Sequence, residues 1–221
     1  MGNSARHTTD LYIIVLVSLA IASCGDPGEP SGTPSAEVAF DDPGLQGCYE
    51  NLLRGPDGKP YAEEITILTC FNAGIRNLDG IEVLSGLEQL LLSGNELQNI
   101  APVLHLPELN WLDLGACGLQ KDSVQTLSRL ETQVRLDVSL NNLEDVSPFG
   151  KATSLTGFIA ANTGIKSGVA QLATLVNARI LSLDGNSESP CSDLETLRAA
   201  LPDARITPSE SDVRPGIDCS P

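Results

Sequence analysis

Hydrophobic residues in the middle of the chain follow a fixed spacing. In Leu87–Leu97, LEQLLLSGNEL, they occupy the first, fourth, sixth and eleventh places, and Asn95 occupies the ninth. The alternation around Leu91 is typical of a short strand that turns Leu90 and Leu92 inward and Leu91 outward. An asparagine just after such a strand can pair with backbone groups that the sheet leaves unpaired. The segment therefore predicts a short strand and a turn held by Asn95.

The same spacing recurs from residue 65 to residue 206. Cys117 and Thr163 take the asparagine place in the third and fifth of six copies, and a truncated seventh copy ends in a strand at Ala204–Ile206. The copies are 22 to 24 residues apart and begin at Ile65, Leu87, Leu109, Gln133, Leu155, Ala178 and Leu201. A unit this short cannot bury its apolar face alone, so neighbouring copies must stack. The chain is thus predicted to be an α/β solenoid, a leucine-rich-repeat horseshoe with a parallel β-sheet on its concave face.

The connections that return along the convex side differ in their helix signals. Pro102 and Pro148 disfavour a regular α-helix in two of them and predict 3₁₀ or extended returns. Gln120–Thr132 has an apolar row and no helix breaker, so we expect a helix there.

Helices are also predicted at both ends of the repeats. Asp41–Arg54 has a helical stripe, with Asp41 or Asp42 as its cap, and begins an N-terminal cap over residues 41–64. A solenoid needs such a lid because its first repeat otherwise exposes apolar surface. Ser192 or Asp193 is expected to cap a helix near the C-terminal end.

An apolar run lies close to the N-terminus. Leu11–Ala22 follows Arg6 and is too short to span a membrane, but it fits the core of a signal peptide. It ends in Ile-Ala-Ser-Cys24, which resembles the lipobox of bacterial lipoproteins. The resemblance implies that residues 1–23 are removed and that Cys24 becomes the first residue, acylated by diacylglycerol and a fatty acid such as palmitate. The alternative is an ordinary secretory signal with an incidental cysteine.

Two polar segments flank the predicted domain. Residues 24–40 are rich in Gly, Pro, Ser and acidic side chains and predict a flexible tether, and residues 207–221 form a polar tail. The cap-like segment and the repeats, roughly residues 41–206, resemble bacterial leucine-rich-repeat proteins of the internalin-like kind. Together with the lipobox, the resemblance implies a protein-binding lipoprotein of the bacterial cell envelope. We expect it on the outer membrane, facing either the periplasm or the surface.

The cysteines suit an exported protein. A cap helix over the open end of the core would bring Cys48 to Cys70, so we pair them. Cys191 and Cys219 flank the last strand and the tail and form a second predicted pair. Cys117 falls on a buried place of the repeat and is expected to remain a buried thiol. The alternative is that all five are reduced.

The outward strand positions define the predicted binding surface. The frame places Asp203 in the first outward row and Arg205 in the second row of the last copy. The candidate contact residues are Ile67, Phe71, Leu91, Trp111, Asp113, Arg135 and Asp137. The apolar members either contact a partner or are covered by the protein's own tether or an edge loop. The neighbouring acids Asp113 and Asp137 either grip a basic group or a cation, or are simply solvated.

Charge and composition narrow the function. The net charge of −16 disfavours nucleic acid and anionic lipid headgroups as direct partners and favours a basic protein or peptide. Only His105 remains after the signal peptide, and no nucleotide-binding or nucleophile motif occurs, so we expect no enzyme, metal or cofactor. Two alternatives stay open. One is a structural envelope protein without a dedicated ligand, and the more remote one is a glycosidase-like enzyme that uses Asp113 and Asp137.

Overall fold

Seven three-residue strands lie side by side in chain order and form one open, all-parallel sheet in the described part of the chain. The computed structural model describes residues 37–54, 61–186 and 191–207. The predicted signal peptide, Cys24, most of the tether, and the tail after Thr207 with Cys219 lie outside these residues. The strands are β1 Ile67–Thr69, β2 Gln89–Leu91, β3 Trp111–Asp113, β4 Arg135–Asp137, β5 Gly157–Ile159, β6 Ile180–Ser182 and β7 Arg205–Thr207.

The central residue of every strand points into the core. These residues are in register across the whole sheet and all are buried: Leu68, Leu90, Leu112, Leu136, Phe158, Leu181 and Ile206. Their alignment confirms the predicted leucine-rich-repeat solenoid. Because successive residues of a strand face opposite sides, the residues before and after each central one face outward.

The last strand, Arg205–Thr207, begins one residue after the predicted Ala204–Ile206, and its register is displaced by two residues from the repeat frame. β7 pairs Ile206 with Leu181, where the repeat frame had put Ala204. Arg205 therefore belongs to the first outward row, and Asp203 precedes the strand, so the predicted rows were wrong in this copy. The cause is the preceding return, which is a ten-residue α-helix followed by a hydrogen-bonded turn. This return uses more chain than the 3₁₀ helices of the other repeats.

Most convex returns are 3₁₀ helices. Pro102 and Pro148 lie in the first turn of two of them, as predicted. The 3₁₀ returns are Ile81–Val83, Ala101–His105, Ser147–Lys151 and Ala170–Thr174, and a further 3₁₀ helix, Ala62–Glu64, precedes β1. The longer return contains the predicted α-helix, α2 Lys121–Leu127, with Val124 and Leu127 buried. The predicted caps of the last helix were wrong. Ser192 and Asp193 lie inside α3 Cys191–Ala200, which already begins at Cys191.

The N-terminal cap is the helix α1 Pro43–Leu53. Of the two predicted caps, Asp42 is the one used: its Oδ1 accepts the backbone N–H of Leu45 at 2.9 Å. Its Oδ2 accepts the backbone N–H groups of Arg76 and Asn77, which lie between β1 and the next 3₁₀ helix. Burial raises the pKa of Asp42, but these backbone hydrogen bonds outweigh it and lower the pKa below its ordinary value.

A disulfide joins this cap to the sheet. Cys48 of α1 and Cys70, directly after β1, have Cα atoms 5.8 Å apart and are bonded, which confirms the predicted pair. Cys191 is also disulfide-bonded. Its pairing with Cys219 stays a prediction because Cys219 lies outside the described residues.

Buried asparagines hold the turns after the strands. The Asn95 carboxamide oxygen accepts the N–H groups of Ala73 and Ile75, while its amide nitrogen donates to the carbonyls of Cys70 and Leu92. Four hydrogen bonds to two successive repeats confirm the predicted role of this side chain. Equivalent bonds are made by Asn141 and Asn186.

Candidate binding surface

The outward side chains of the sheet form two parallel rows on the concave face. Row one contains Ile67, Gln89, Trp111, Arg135, Gly157, Ile180 and Arg205. Row two contains Thr69, Leu91, Asp113, Asp137, Ile159, Ser182 and Thr207. Neighbours within a row are about 4.8 Å apart, and the rows are separated by two residues of a strand, about 6.6 Å.

At the centre of row one, Arg135 stacks on Trp111. The two residues are register partners, and the guanidinium carbon lies 5.1 Å from the centre of the indole ring. On the other side of Arg135, a Cβ built on Gly157 would lie 3.2 Å from the Arg135 Cγ. The missing side chain at Gly157 therefore leaves room for the aliphatic stem of the arginine. The aromatic face on one side and this gap on the other together hold the guanidinium in one place.

The charge of Arg135 is not neutralised within the described residues. Its Nε is buried and has no hydrogen-bond partner there. The ion pairs of the described chain are Arg54–Glu50, Arg76–Glu96 and Lys166–Glu144, and none involves Arg135. A buried N–H without a partner costs about 1–3 kcal/mol, so this arrangement of Arg135 lowers the stability of the fold.

Row two carries the predicted acidic pair. Asp113 and Asp137 are register partners on neighbouring strands. The Oδ1 of Asp113 accepts the Ser93 hydroxyl at 2.6 Å and the Gly115 N–H at 2.9 Å. The Oδ1 of Asp137 accepts the Ser139 N–H at 2.9 Å. One oxygen of each carboxylate is thus fixed by hydrogen bonds at the turn.

The predicted apolar residues are spread over the first three strands. Ile67 and Phe71 are 47% and 50% exposed, at the N-terminal end of the sheet, whereas Leu91 and Trp111 are half-buried between neighbours. The four do not form one cluster, because Gln89 separates Ile67 from Trp111 in row one. Trp111 and Arg135, beside the two acids, are the members that the register brings together.

Two exposed apolar residues were missed by the sequence analysis, Leu140 and Val176. Leu140 follows the β4 turn, is 63% exposed and has a φ of +60°. The equivalent places elsewhere also have positive φ, and they are Asn72, Gly94, Ala116, Asn162 and Gly185. Glycine and asparagine tolerate this left-handed backbone, whereas leucine is strained in it. Leu140 could have been singled out from the sequence, because a leucine occupies a place of the repeat that favours glycine or asparagine.

Cys117 lies behind this surface and not on it. The thiol is buried and donates to the carbonyl of Leu92 at 3.2 Å. Burial raises the pKa of Cys117 to about 11, so the thiol stays protonated at neutral pH. This agrees with the predicted buried, unreactive thiol.

Two kinds of site are absent from the described residues. Within them, no group of three or more His, Cys, Asp or Glu side chains is arranged to hold a metal ion. None of their helices combines the length and the apolar character that a membrane span needs.

The strand register and the asparagine turns define the class of the fold as a leucine-rich-repeat solenoid. No protein-family model matches the chain, and no curated protein matches it. Among solved structures, it is similar to an internalin (inlF) from Listeria monocytogenes, with 21% identity and a TM-score of 0.52 over 79% of this chain and 57% of that one. Internalin C2 from the same organism also has 21% identity, with a TM-score of 0.50 over 79% of this chain and 85% of that one.

These structural similarities concern the fold only. At 21% identity they show a shared leucine-rich-repeat architecture. The chain spans little more than half the length of the first of these structures, 57%.

Proposed function

We propose that the repeats form a protein-binding module that holds its partner on the concave face, centred on Trp111 and Arg135. The observation that carries this proposal is the stacked pair itself. Trp and Arg are the residues most enriched in interface hot spots, and a guanidinium held on an aromatic face loses little freedom on binding. A face of short parallel strands offers its side chains as a rigid array and suits a protein surface or an extended peptide better than a small molecule.

The overall charge supports a partner with basic groups. The chain has 29 acidic and 13 basic residues, and Asp113 and Asp137 place two of the acids on the concave face. Long-range attraction would speed the encounter with a basic protein or peptide, whereas nucleic acid would be repelled.

We further propose that the module is tethered to a membrane of the bacterial cell envelope through lipid on Cys24. The support is the apolar run Leu11–Ala22 that ends directly before Ser23-Cys24. A test replaces Cys24 with Ala in the full chain and follows incorporation of labelled palmitate and membrane fractionation. Loss of label and release from the membrane are expected. If Cys24→Ala keeps both the label and the membrane association, the protein is anchored by an uncleaved signal peptide or by another group.

The binding proposal is tested by cross-linking in intact cells. A photoreactive residue at Ile159, in row two, should cross-link a discrete partner protein, and the same residue at Val176, an exposed site in the return before β6, should not. Trp111→Ala should abolish the cross-link from residue 159, while Val176→Ala leaves it unchanged. Equal cross-linking from both positions, or a partner that survives Trp111→Ala, would favour a structural envelope protein without a dedicated concave ligand.

A further inference from the structure

The proposed partner can be described further by its chemistry, an inference that rests on the proposed function. We infer that the concave face recognises an extended segment of a partner protein that carries one acidic and one basic side chain two residues apart. The acidic side chain lies over Arg135, and the basic one lies between Asp113 and Asp137.

The acidic side chain is required by the unpaired guanidinium. Arg135 has a buried Nε without a partner in the described chain, and it stacks on Trp111 and not on an acid. Arginine donors match a carboxylate, which can accept two parallel hydrogen bonds from them. Of the guanidinium nitrogens only Nε is buried without a partner among the described residues, so the two Nη groups are the donors that a ligand carboxylate can reach. Since no described residue of this chain supplies the carboxylate, the partner is expected to supply it.

The basic side chain is required by the acidic pair. Asp113 and Asp137 are adjacent across β3 and β4, and like charges in that position destabilise a sheet by about 0.2–1 kcal/mol. Each has one oxygen held by a backbone N–H of its own turn, which leaves the second oxygen for a ligand. A lysine or arginine of the partner between them would relieve the repulsion. Arg135 itself does not do so, although it lies on the same strand as Asp137.

The separation of the two charges selects an extended segment. Arg135 lies in row one and the acids in row two, two residues further along the strands, so the Cα atoms of the two rows are about 6.6 Å apart. In an extended peptide, side chains two residues apart lie on the same side at this same distance. Side chains three residues apart point to opposite sides. A peptide that runs along the strand direction can therefore place both charged side chains against the sheet only if a single residue separates them.

Leu140 adds an apolar contact at the rim of this site. It lies three residues beyond Asp137, exposed and in a backbone conformation that disfavours leucine. The turn itself imposes the positive φ, as at the equivalent places of the other repeats, whereas the leucine side chain is exposed and is not needed for packing within the fold. We assign to Leu140 contact with an apolar residue of the partner next to the basic one.

The test uses the purified full-length protein and four fluorescent peptides with blocked ends in a threonine–valine background. They carry Glu-x-Lys, Glu-x-x-Lys, Glu-x-Glu or Lys-x-Lys, and binding is measured by fluorescence anisotropy. Glu-x-Lys is expected to bind at least about tenfold more tightly than the other three. Equal affinities for Glu-x-Lys and Glu-x-x-Lys would overturn the inference, and so would no binding of any peptide at about 1 mM.

Charge variants separate recognition from folding. Arg135→Glu should change the preferred peptide to Lys-x-Lys, and the double variant Asp113→Asn with Asp137→Asn should abolish the preference for Glu-x-Lys over Glu-x-Glu. Arg205→Glu makes the same charge change on the exposed end of row one and should keep the preference for Glu-x-Lys. The inference would be overturned if the Arg135 and Asp113/Asp137 variants kept the wild-type peptide preference. It would also be overturned if Arg205→Glu changed the preference as much as Arg135→Glu does.

This experiment and the cross-linking experiment fail independently. If no peptide preference is found while Trp111→Ala still abolishes the cross-link, the binding module stands and the charge pattern is wrong. If the cross-linked partner is a second copy of this chain whose association is lost in Arg135→Glu, the occupant is not a heterologous segment and the inference is overturned. If both experiments fail, the concave face is not the binding surface.

Discussion

The guanidinium carbon of Arg135 lies 5.1 Å from the centre of the Trp111 ring, with the two residues directly paired on neighbouring strands. Trp111 is the only tryptophan of the chain, so its fluorescence reports on this contact without interference. Arg135→Met keeps most of the aliphatic stem but removes the charge. We expect a shift of the emission maximum of Trp111. The free energy of unfolding should not fall, because removal of the buried, unpaired Nε outweighs the lost cation–π contact.

The matched control for this contact is Arg205→Met. It removes the same charge from the same row but lies three strands from Arg135. It should leave the emission maximum of Trp111 unchanged. An identical emission spectrum for wild type and Arg135→Met would mean that the guanidinium does not rest on the ring in solution.

The turn asparagine Asn95 should be among the most sensitive positions of the fold. Asn95→Ala leaves the N–H groups of Ala73 and Ile75 without their acceptor in a buried place. We expect a loss of about 2–4 kcal/mol in the free energy of unfolding, measured by urea denaturation. Asn177→Ala removes one exposed bond to the Thr153 carbonyl and should cost less than about 0.5 kcal/mol. Similar losses in both variants would contradict the role of the buried amide.

Asp42 should make the stability of the protein depend on pH in the acidic range. Its pKa in the folded state is lowered from the ordinary value of 3.8 by backbone hydrogen bonds that outweigh burial. A lowered pKa means that the stabilisation is fully present above the ordinary value and is lost as the pH falls through the lowered one. Asp42→Asn should therefore lose less stability than wild type between about pH 6 and about pH 3. Urea unfolding at the two pH values measures this, and an equal loss in both proteins would contradict it.

Cys117 should resist alkylation as long as the protein is folded. Burial raises the pKa of the thiol from the ordinary value of 9.0 to about 11. At about pH 8 the thiolate fraction falls roughly a hundredfold, and the side chain is also out of reach of the reagent. Iodoacetamide labelling followed by mass spectrometry of the peptide that contains Cys117 is the measurement. The same peptide should react readily in urea, and equal rates in both states would show that the thiol is accessible.

Leu140 should separate stability from binding. Leu140→Asn places a residue that tolerates positive φ in a backbone with φ of +60°, so the free energy of unfolding should rise by about 0.5–1 kcal/mol. Cross-linking to the partner should nevertheless decrease, since the apolar contact is lost. If Leu140→Asn is more stable but cross-links to the partner as wild type does, Leu140 has no role in binding.

Much of the fold was predictable because it is encoded locally. The inward turn of Leu90 and Leu92 follows from strand geometry, whatever the rest of the chain does, and repetition fixes the order of the strands. The Cys48–Cys70 bond followed from the need to cover the first repeat, which any solenoid shares. The frame failed at β7 because a spacing counted from earlier copies contains no information on how much chain the helix α3 and its turn would use.

The candidate surface was predictable only as a set of outward residues. The sequence alone determined that Trp111, Arg135, Asp113 and Asp137 would share one face, because strand alternation depends on the local pattern. Only the tertiary structure decided that Arg135 stacks on Trp111 and stays unpaired with the acids, and that Leu140 is exposed at their rim. The physical reason is that a side chain chooses its conformation from the space left by its neighbours. For Arg135 that space is opened by Gly157, which is 22 residues away in the chain and one strand away in the sheet.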